Sequence, residues 1–435
     1  MQVKVISPDI VTYGAMVIGG VLREHGHEVS ISRSIEETEV DVTLVISLYS
    51  TQHLMDERIK NLIASHRKRG GRCYVGGPVS AHPAMVLGEL GPDAVVVGEG
   101  EVTTPCLILK GPSSDIPGIA YLGEEGMVYT GPSPPSSMKR PLPLIPSDIK
   151  DQNVRGANVY IETHRGCIGG CGFCQVPRYF GQDIRSRSIE DILTEVQVFK
   201  DAGANRISIS GGTGSLYASE HGRMNVPAFV DLLKGIAGIM GPKNLSSPDI
   251  RVDCITNEVL DAIRDSTIGW VFFGIESGSE DILKKMRKGA TVGQVREAVK
   301  RCRKHGLKVA GSFIVGYPGE SADDYQKTKD LIEELSLDDV FVSAAEPIPG
   351  TPLADLVLST PQAENPVYMS HTGDYRSLGL SEAEARAFDL MLHADLCKPR
   401  FTMTDDRTFN LYLAEVKKQG SDIRRATECL LRYVN

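Results

Sequence analysis

Gly166-Cys167-Ile168-Gly169-Gly170-Cys171-Gly172-Phe173-Cys174 follows directly on an apolar, β-branched run, Val159–Glu162. Its cysteines are spaced C-x3-C-x2-C. Soft, anionic thiolates match iron, so this run can hold three corners of an iron–sulfur cubane and leave the fourth iron open. An open iron binds a substrate or cofactor directly, which points to a catalyst rather than an electron carrier. The glycines at 166, 169, 170 and 172 let the backbone wrap closely and turn amides toward sulfur. Zinc is the competing reading, with His164 as fourth ligand. Structural zinc more often uses two ligand pairs held apart in sequence, a poorer match to one tight run.

Working outward, the run closes the first strand of a repeating pattern. Val159–Glu162, Arg206–Ser210, Ile250–Cys254, Trp270–Ile275, Val309–Val315 and Val340–Ala345 read as strands. Ile189–Ala202, Val226–Met240, Val259–Asp265, Val292–His305 and Ala322–Leu335 read as helices after most of them. Such units predict an open or partial barrel over 155–354, with its chemistry at the carboxyl ends of the strands. Upstream, Val3–Ile6, Glu28–Ile31, Val42–Ile46, Arg72–Val75 and Ala94–Val97 predict a parallel, doubly wound sheet over 1–110. Its ligand loops are then Ser7–Gly14, Ser47–Gln52, Gly76–Val79 and Gly98–Glu101. The Pro-rich stretch 111–154 excludes a long helix and predicts an ordered connector with a hairpin near Gly118–Val128. Residues 355–435 predict a helical extension, for example Glu382–Leu396 and Thr408–Lys417.

The chain has 435 residues, 41% of them hydrophobic and 24% charged, which suits a globular protein of two or three domains. A formal net charge of −9 argues against a broad nucleic-acid surface. Met1-Gln2-Val3-Lys4-Val5-Ile6 reads as a strand rather than a charged leader, and Ala15–Leu22 is too short to span a bilayer. A cytoplasmic protein without a membrane partner is expected. The remaining cysteines, 73, 106, 254, 302, 397 and 429, are scattered singly and form no disulfide framework.

C-x3-C-x2-C with Phe173 before the last cysteine resembles the signature of the radical S-adenosylmethionine (SAM) superfamily. The resemblance implies a partial (β/α)6 barrel and a 4Fe–4S cluster on Cys167, Cys171 and Cys174. Its open iron would hold the amino and carboxylate groups of SAM, and reductive cleavage would free a deoxyadenosyl radical. Ser210-Gly211-Gly212-Thr213-Gly214-Ser215 resembles the family's glycine-rich SAM motif, with Thr213 where an acidic residue often stands. By the same likeness Glu276, in Gly274-Ile275-Glu276-Ser277-Gly278, faces the ribose hydroxyls. Ser312 and Tyr317, in and after the fifth strand, lie near the adenine. Arg185 and Arg187 are candidates for the SAM carboxylate, with exposed surface charge as the plainer reading.

The sheet ahead of the barrel resembles the cobalamin-binding domain of one large subfamily. That likeness implies corrinoid contacts from Tyr13 and Gly14 on the first loop, from Ser47, Tyr49, Ser50 and Thr51 after the third strand, from Gly76, Gly77 and Pro78 after the fourth, and from Gly98, Glu99 and Gly100 after the fifth. The subfamily's cobalt-ligating D-x-H-x-x-G run has no counterpart here; His25, His27, His53, His66 and His82 all lie outside such a pattern. Methylthiotransferases share the later barrel motifs but carry a second cysteine triad, and only Cys73 and Cys106 precede residue 150.

The layout most resembles cobalamin-dependent radical SAM methyltransferases acting on an unactivated carbon, and among them the methanogen enzymes that C-methylate a glutamine of methyl-coenzyme M reductase. A protein or peptide substrate and an external electron donor are then expected partners. A small-molecule or lipid substrate is the alternative. A non-catalytic corrinoid- or zinc-binding module is the alternative from another class.

Overall fold

The computed structural model describes residues 1–246, 248–399 and 405–433. The parts of the expected C-terminal extension at 400–404 and 434–435 lie outside them. The backbone falls into two compact units. Of the described residues, one unit comprises Met1–Gly166 with Tyr179–Ile209; the other comprises Cys167–Arg178 with those from Ser210 to Tyr433.

In the first unit, β1 (Gln2–Ile6), β2 (Glu28–Ser32), β3 (Thr43–Ser47), β4 (Cys73–Gly76) and β5 (Ala94–Val96) are parallel, in the order β2-β1-β3-β4-β5. These strands match the five apolar runs within a residue or two, because a strand buried on both faces needs continuous apolar side chains. Between them run α1 (Tyr13–Glu24), α2 (Glu57–Lys68) and α3 (Pro83–Leu90), and α4 (Gly100–Lys110) follows β5. The strand order reverses between β1 and β3, which opens a crevice beyond their carboxyl ends.

The Pro-rich stretch turns out to be part of this sheet. Its hairpin, β6 (Ile119–Gly123) and β7 (Gly126–Tyr129), adds two antiparallel strands beside β5. The stretch then docks on α1, where Leu144 N donates to Met16 O at 2.8 Å. A Cβ at Gly20 would come within 2.2 Å of Leu142 O, so this approach requires glycine.

The six strands expected in the second half of the chain follow, in two separate sheets. They are β8 (Val159–Glu162), β11 (Ile207–Ser210), β12 (Asp249–Ile250), β13 (Trp270–Glu276), β14 (Lys308–Val315) and β15 (Asp339–Ala344); β9 (His164–Arg165) and β10 (Arg185–Ser186) form a short antiparallel ladder. β12 to β15 form one parallel sheet, and β8 pairs with β11. The third barrel strand is shorter than its apolar run suggested, since the chain turns at Arg251–Cys254. The helical extension is built mainly from Glu382–Leu396 and Asp406–Leu431. Gln419 of the latter accepts the Ala344 amide at 3.0 Å, satisfying a donor on the edge strand β15. Among the described residues no helix is long and apolar enough to cross a membrane.

Candidate functional site

Within the second unit the cysteine loop is fixed through its backbone. Gly172 N donates to Met286 O at 2.7 Å, Leu353 N to Gly172 O at 2.9 Å, and the Arg178 guanidinium to Cys171 O at 2.7 Å. Of the sulfurs, Cys171 Sγ lies 4.0 Å from Lys288 O. A Cβ at Gly169 would meet the Arg251 guanidinium at 3.1 Å and lie in ordinary contact with Cys167 Sγ at 3.5 Å and Cys171 Sγ at 3.7 Å, so Gly169 sits between Arg251 and two of the three thiols. Cys171 is buried, and Cys167 and Cys174 are half-buried. Burial pushes the Cys171 and Cys174 thiols up; metal ligation would supply the charge that stabilises the thiolates. Among the described residues no three His, Cys, Asp or Glu side chains are already gathered as a metal site, so the fit to a cubane cluster rests on donor chemistry, three soft thiols in one short loop. His164, the fourth zinc ligand considered above, belongs to β9 in the other unit, where its Nδ1 lies 3.0 Å from Thr163 Oγ1.

Phe173 packs on an apolar cluster of Ile282, Met286, Tyr317, Ala345, Leu353 and Val357. Tyr317 is only 2% exposed, so its ring supports the cysteine loop from beneath instead of offering a free face to adenine. Gly211 and Gly212 adopt positive φ (153° and 73°), and Thr213 is buried at the start of a short turn.

Glu276 ends β13 at a bulge, with φ of +71°. Its Oε1 accepts from Lys288 Nζ at 2.7 Å, and Ser312 Oγ donates to its Oε2 at 3.5 Å. A Cβ on Gly274 would come within 2.4 Å of Glu276 Oε1 and 2.8 Å of Lys288 Nζ. The glycine therefore makes room for the ion pair. Gly274→Ala is expected to displace the pair and weaken SAM binding about tenfold, ~1.4 kcal/mol, with the far-UV spectrum unchanged; equilibrium dialysis checks it, and wild-type affinity would refute it.

Lys288 was not singled out from sequence. It lies among many basic residues (Lys284, Lys285, Arg287), and only the turn distinguishes it. The helix Glu280–Lys285 ends with Lys288 N donating to Leu283 O and Arg287 N to Lys284 O, a Schellman closure with Arg287 at φ +52°. That reversal returns Lys288 toward Glu276. Arg251 was missed as well. Its guanidinium donates to Lys288 O at 3.2 Å and pairs with Asp253 at 2.9 Å.

In the first unit the carboxyl-end loops divide the expected corrinoid residues into two groups. Gly14 has no heavy atom near the position a Cβ would take, and Tyr49 is 38% exposed. Ser47, Ser50 and Gly76 are half-buried, with Ser50 capping the turn Thr51–Met55. These remain open to a ligand. The others are committed to the fold. A Cβ at Gly77 (φ +95°) would meet Leu48 O at 2.5 Å, and one at Gly98 (φ +92°) would meet Ser133 Oγ at 2.6 Å. These two glycines therefore serve the chain's own packing. Gly100 starts α4, where a Cβ would press on Thr104 and Ile18; Pro78 opens a short turn, and Thr51 is buried. Of the histidines in these loops, His53 Nε2 lies 3.1 Å from Asp9, and His82 Nδ1 accepts from Met85 N at 3.4 Å.

Tyr13, Glu99, Arg185 and Arg187 correct the sequence reading most. Tyr13 lies at the start of α1, not on an open loop. Its hydroxyl donates to Glu195 at 2.6 Å and accepts from Arg140 at 2.9 Å and Arg187 at 3.0 Å. Arg187 is 4% exposed and pairs with Glu195 at 2.8 Å. It is therefore not exposed surface charge. Arg185 pairs with Glu99, and Arg165 pairs with Glu99, Glu101 and Glu162. Ser136 N donates to Glu99 at 2.8 Å. Glu99 is thus a structural carboxylate rather than a corrinoid contact. The opposite charges cancel within one buried network, where an unpaired partner would be costly.

Comparison with known proteins agrees with this geometry. Residues 161–332 match the radical SAM superfamily model, and residues 3–108 match the B12 binding domain model. A provisionally named methylthiotransferase of Methanocaldococcus jannaschii is 50% identical over 100% of this chain and 96% of its own length. A tRNA-2-methylthio-N(6)-dimethylallyladenosine synthase of Bordetella petrii is 31% identical over 48% of this chain, which spans 44% of that protein. Among solved structures, the radical SAM methyltransferase TsrM from Kitasatospora setae, with cobalamin and a 4Fe–4S cluster bound, superposes with a TM-score of 0.70 at 16% identity, over 98% of this chain and 100% of its own. The cobalamin-dependent radical enzyme OxsB with aqua-cobalamin bound gives 0.64 at 20% identity, over 78% of this chain and 53% of its own. The chain is a radical SAM enzyme with a B12-binding domain, and it belongs to the family of the M. jannaschii protein. Its cofactors are accordingly a 4Fe–4S cluster, SAM and cobalamin.

Proposed function

We propose that this enzyme transfers a methyl group to an unactivated carbon, with the α carbon of a glutamine in methyl-coenzyme M reductase as its target. The observation that carries the reading is the pairing, in one chain, of a B12-binding sheet with a cysteine loop flanked by Glu276, Lys288 and Ser312. Cys167, Cys171 and Cys174 would hold the cluster. Gly211, Gly212, Glu276 and Ser312 would hold SAM, and Gly14, Ser47, Tyr49, Ser50 and Gly76 the corrinoid. When bound, the cluster supplies the electron that opens the sulfonium, and the corrinoid supplies the methyl group. The chain's own work is binding, orientation and exclusion of water. The electron comes from an external donor. The functional limits we assign are 1–110 for cobalamin, 111–154 for the connector, 155–354 for the barrel and 355–435 for the extension.

The name of the M. jannaschii relative raises methylthio transfer as a second reading. Sulfur insertion by methylthiotransferases draws on a second cysteine triad ahead of the barrel, yet only Cys73, enclosed in β4, and Cys106 precede residue 150. Methyl transfer therefore fits this chain better. A small-molecule acceptor is the further alternative. Anaerobically reconstituted protein with cobalamin, methyl-deuterated SAM, a reductant and candidate peptides tests the choice. Deoxyadenosine with a CD3-bearing peptide is the expected result. A thiomethylated product would overturn methyl transfer, and transfer only to a small molecule would overturn the peptide target.

A further inference from the structure

Lys288 is 7% exposed, and its ammonium meets the Glu276 carboxylate at 2.7 Å. Burying an ammonium is costly, and a single ion pair offsets that cost only when its geometry is fixed. Three local features fix it here: the left-handed Arg287 that reverses the chain, the left-handed Glu276 at its bulge, and the bare Gly274 beneath the pair. Backbone strain of this kind concentrates where a side chain must be aimed.

On its other side Lys288 reaches the cysteine loop. Its ammonium stands 5.8 Å from the centre of the Phe173 ring, and Phe173 immediately precedes Cys174. Its carbonyl accepts from Arg251 at 3.2 Å and lies 4.0 Å from Cys171 Sγ. One residue thus spans from a carboxylate to the thiol triad.

We propose that Lys288 is a positioning residue with two effects: it holds Glu276 Oε1 so that Oε2 stays turned toward Ser312 to accept the hydroxyls of a nucleoside-bearing sulfonium ligand, and its charge favours addition of an electron at the metal centre on the triad. The inference rests on reading the triad as a cluster site. At the low effective dielectric of a buried site, a unit charge on a residue that touches both Phe173 and Cys171 biases the more negative, reduced state. Lys288 and Glu276 nearly cancel. Removing one member leaves the other charge unopposed, and the two deletions act with opposite signs.

Full-length wild type, Lys288→Met, Glu276→Gln and the double variant, reconstituted anaerobically without SAM, are compared by redox titration followed by electron paramagnetic resonance. Lys288→Met should lower the midpoint potential, Glu276→Gln should raise it, and the double variant should return close to wild type. In equilibrium dialysis Lys288→Met should bind SAM at least tenfold more weakly, and Lys288→Arg should recover part of that loss. Shifts of the same sign in both single variants, or an unchanged potential with wild-type affinity, would overturn the proposal. Iron content separates it from the reading beneath it. Iron-loaded wild type without the sign reversal sinks the role of Lys288 alone, whereas wild type that takes up zinc instead of iron sinks both.

Discussion

Cys171→Ala is expected to cut bound iron from about four per chain to below one, and to bring SAM cleavage down to the level of a protein-free blank. Cys171 is one of three thiols at a loop whose backbone is held independently of its sulfurs, by Met286, Leu353 and Arg178. Losing a single buried sulfur should cost about 1 kcal/mol of stability, so the variant folds. Cys397→Ala serves as the control. That residue caps the helix Glu382–Leu396, and its loss should leave iron content unchanged. Iron analysis and deoxyadenosine release check both variants. Full iron retention in Cys171→Ala would mean the cluster is held elsewhere.

Arg165→Met should produce the largest loss of stability, about 3–5 kcal/mol, because it strips one cation from three buried carboxylates at once. Arg165 pairs with Glu99 at 2.6 Å, with Glu162 at 3.0 Å, and with Glu101. The pH dependence has a definite sign. Burial pushes the Glu99 carboxyl up, but Arg185, Arg165 and the Ser136 amide outweigh it and hold the group below its ordinary value of 4.5. Burial likewise raises Glu162, and Arg140 and Arg165 bring it below the same value. A carboxyl depressed in the folded state stabilises the protein above the unfolded pKa, and that contribution is lost as pH falls through the folded pKa. Without Arg165 both carboxyls move up, so acid-side loss should begin at a higher pH than in wild type. Urea midpoints measured from neutral pH down through the carboxylate range test this. Parallel curves for the two proteins would show that the network contributes no proton linkage.

The same network shows where residue patterns stop being legible. Glu99 and Arg187 sit in stretches that read correctly as strand-end and strand–helix segments. Their pairing, however, depends on Arg165 and Glu195, which no local period connects to them. Tyr13 was placed near the right strand end, but α1 begins at that residue, and its hydroxyl is consumed by Arg140, Arg187 and Glu195. The family likeness implies corrinoid contacts at Gly77 and Gly98, but the space beside them is taken by Leu48 and Ser133.

The sequence by itself determined the strand–helix alternation of both halves, the cysteine run, and the class of cofactor that the run accepts. Apolar periodicity and ligand spacing are local properties, so they survive without a fold. Only the tertiary structure decided that the Pro-rich hairpin extends the front sheet, that four arginines and four glutamates form one buried network, and that Lys288 stands between Glu276 and the cysteine loop. Those outcomes depend on which side chains share a low-dielectric space, and that is set by chain reversals such as the left-handed turn at Arg287 rather than by neighbours in sequence.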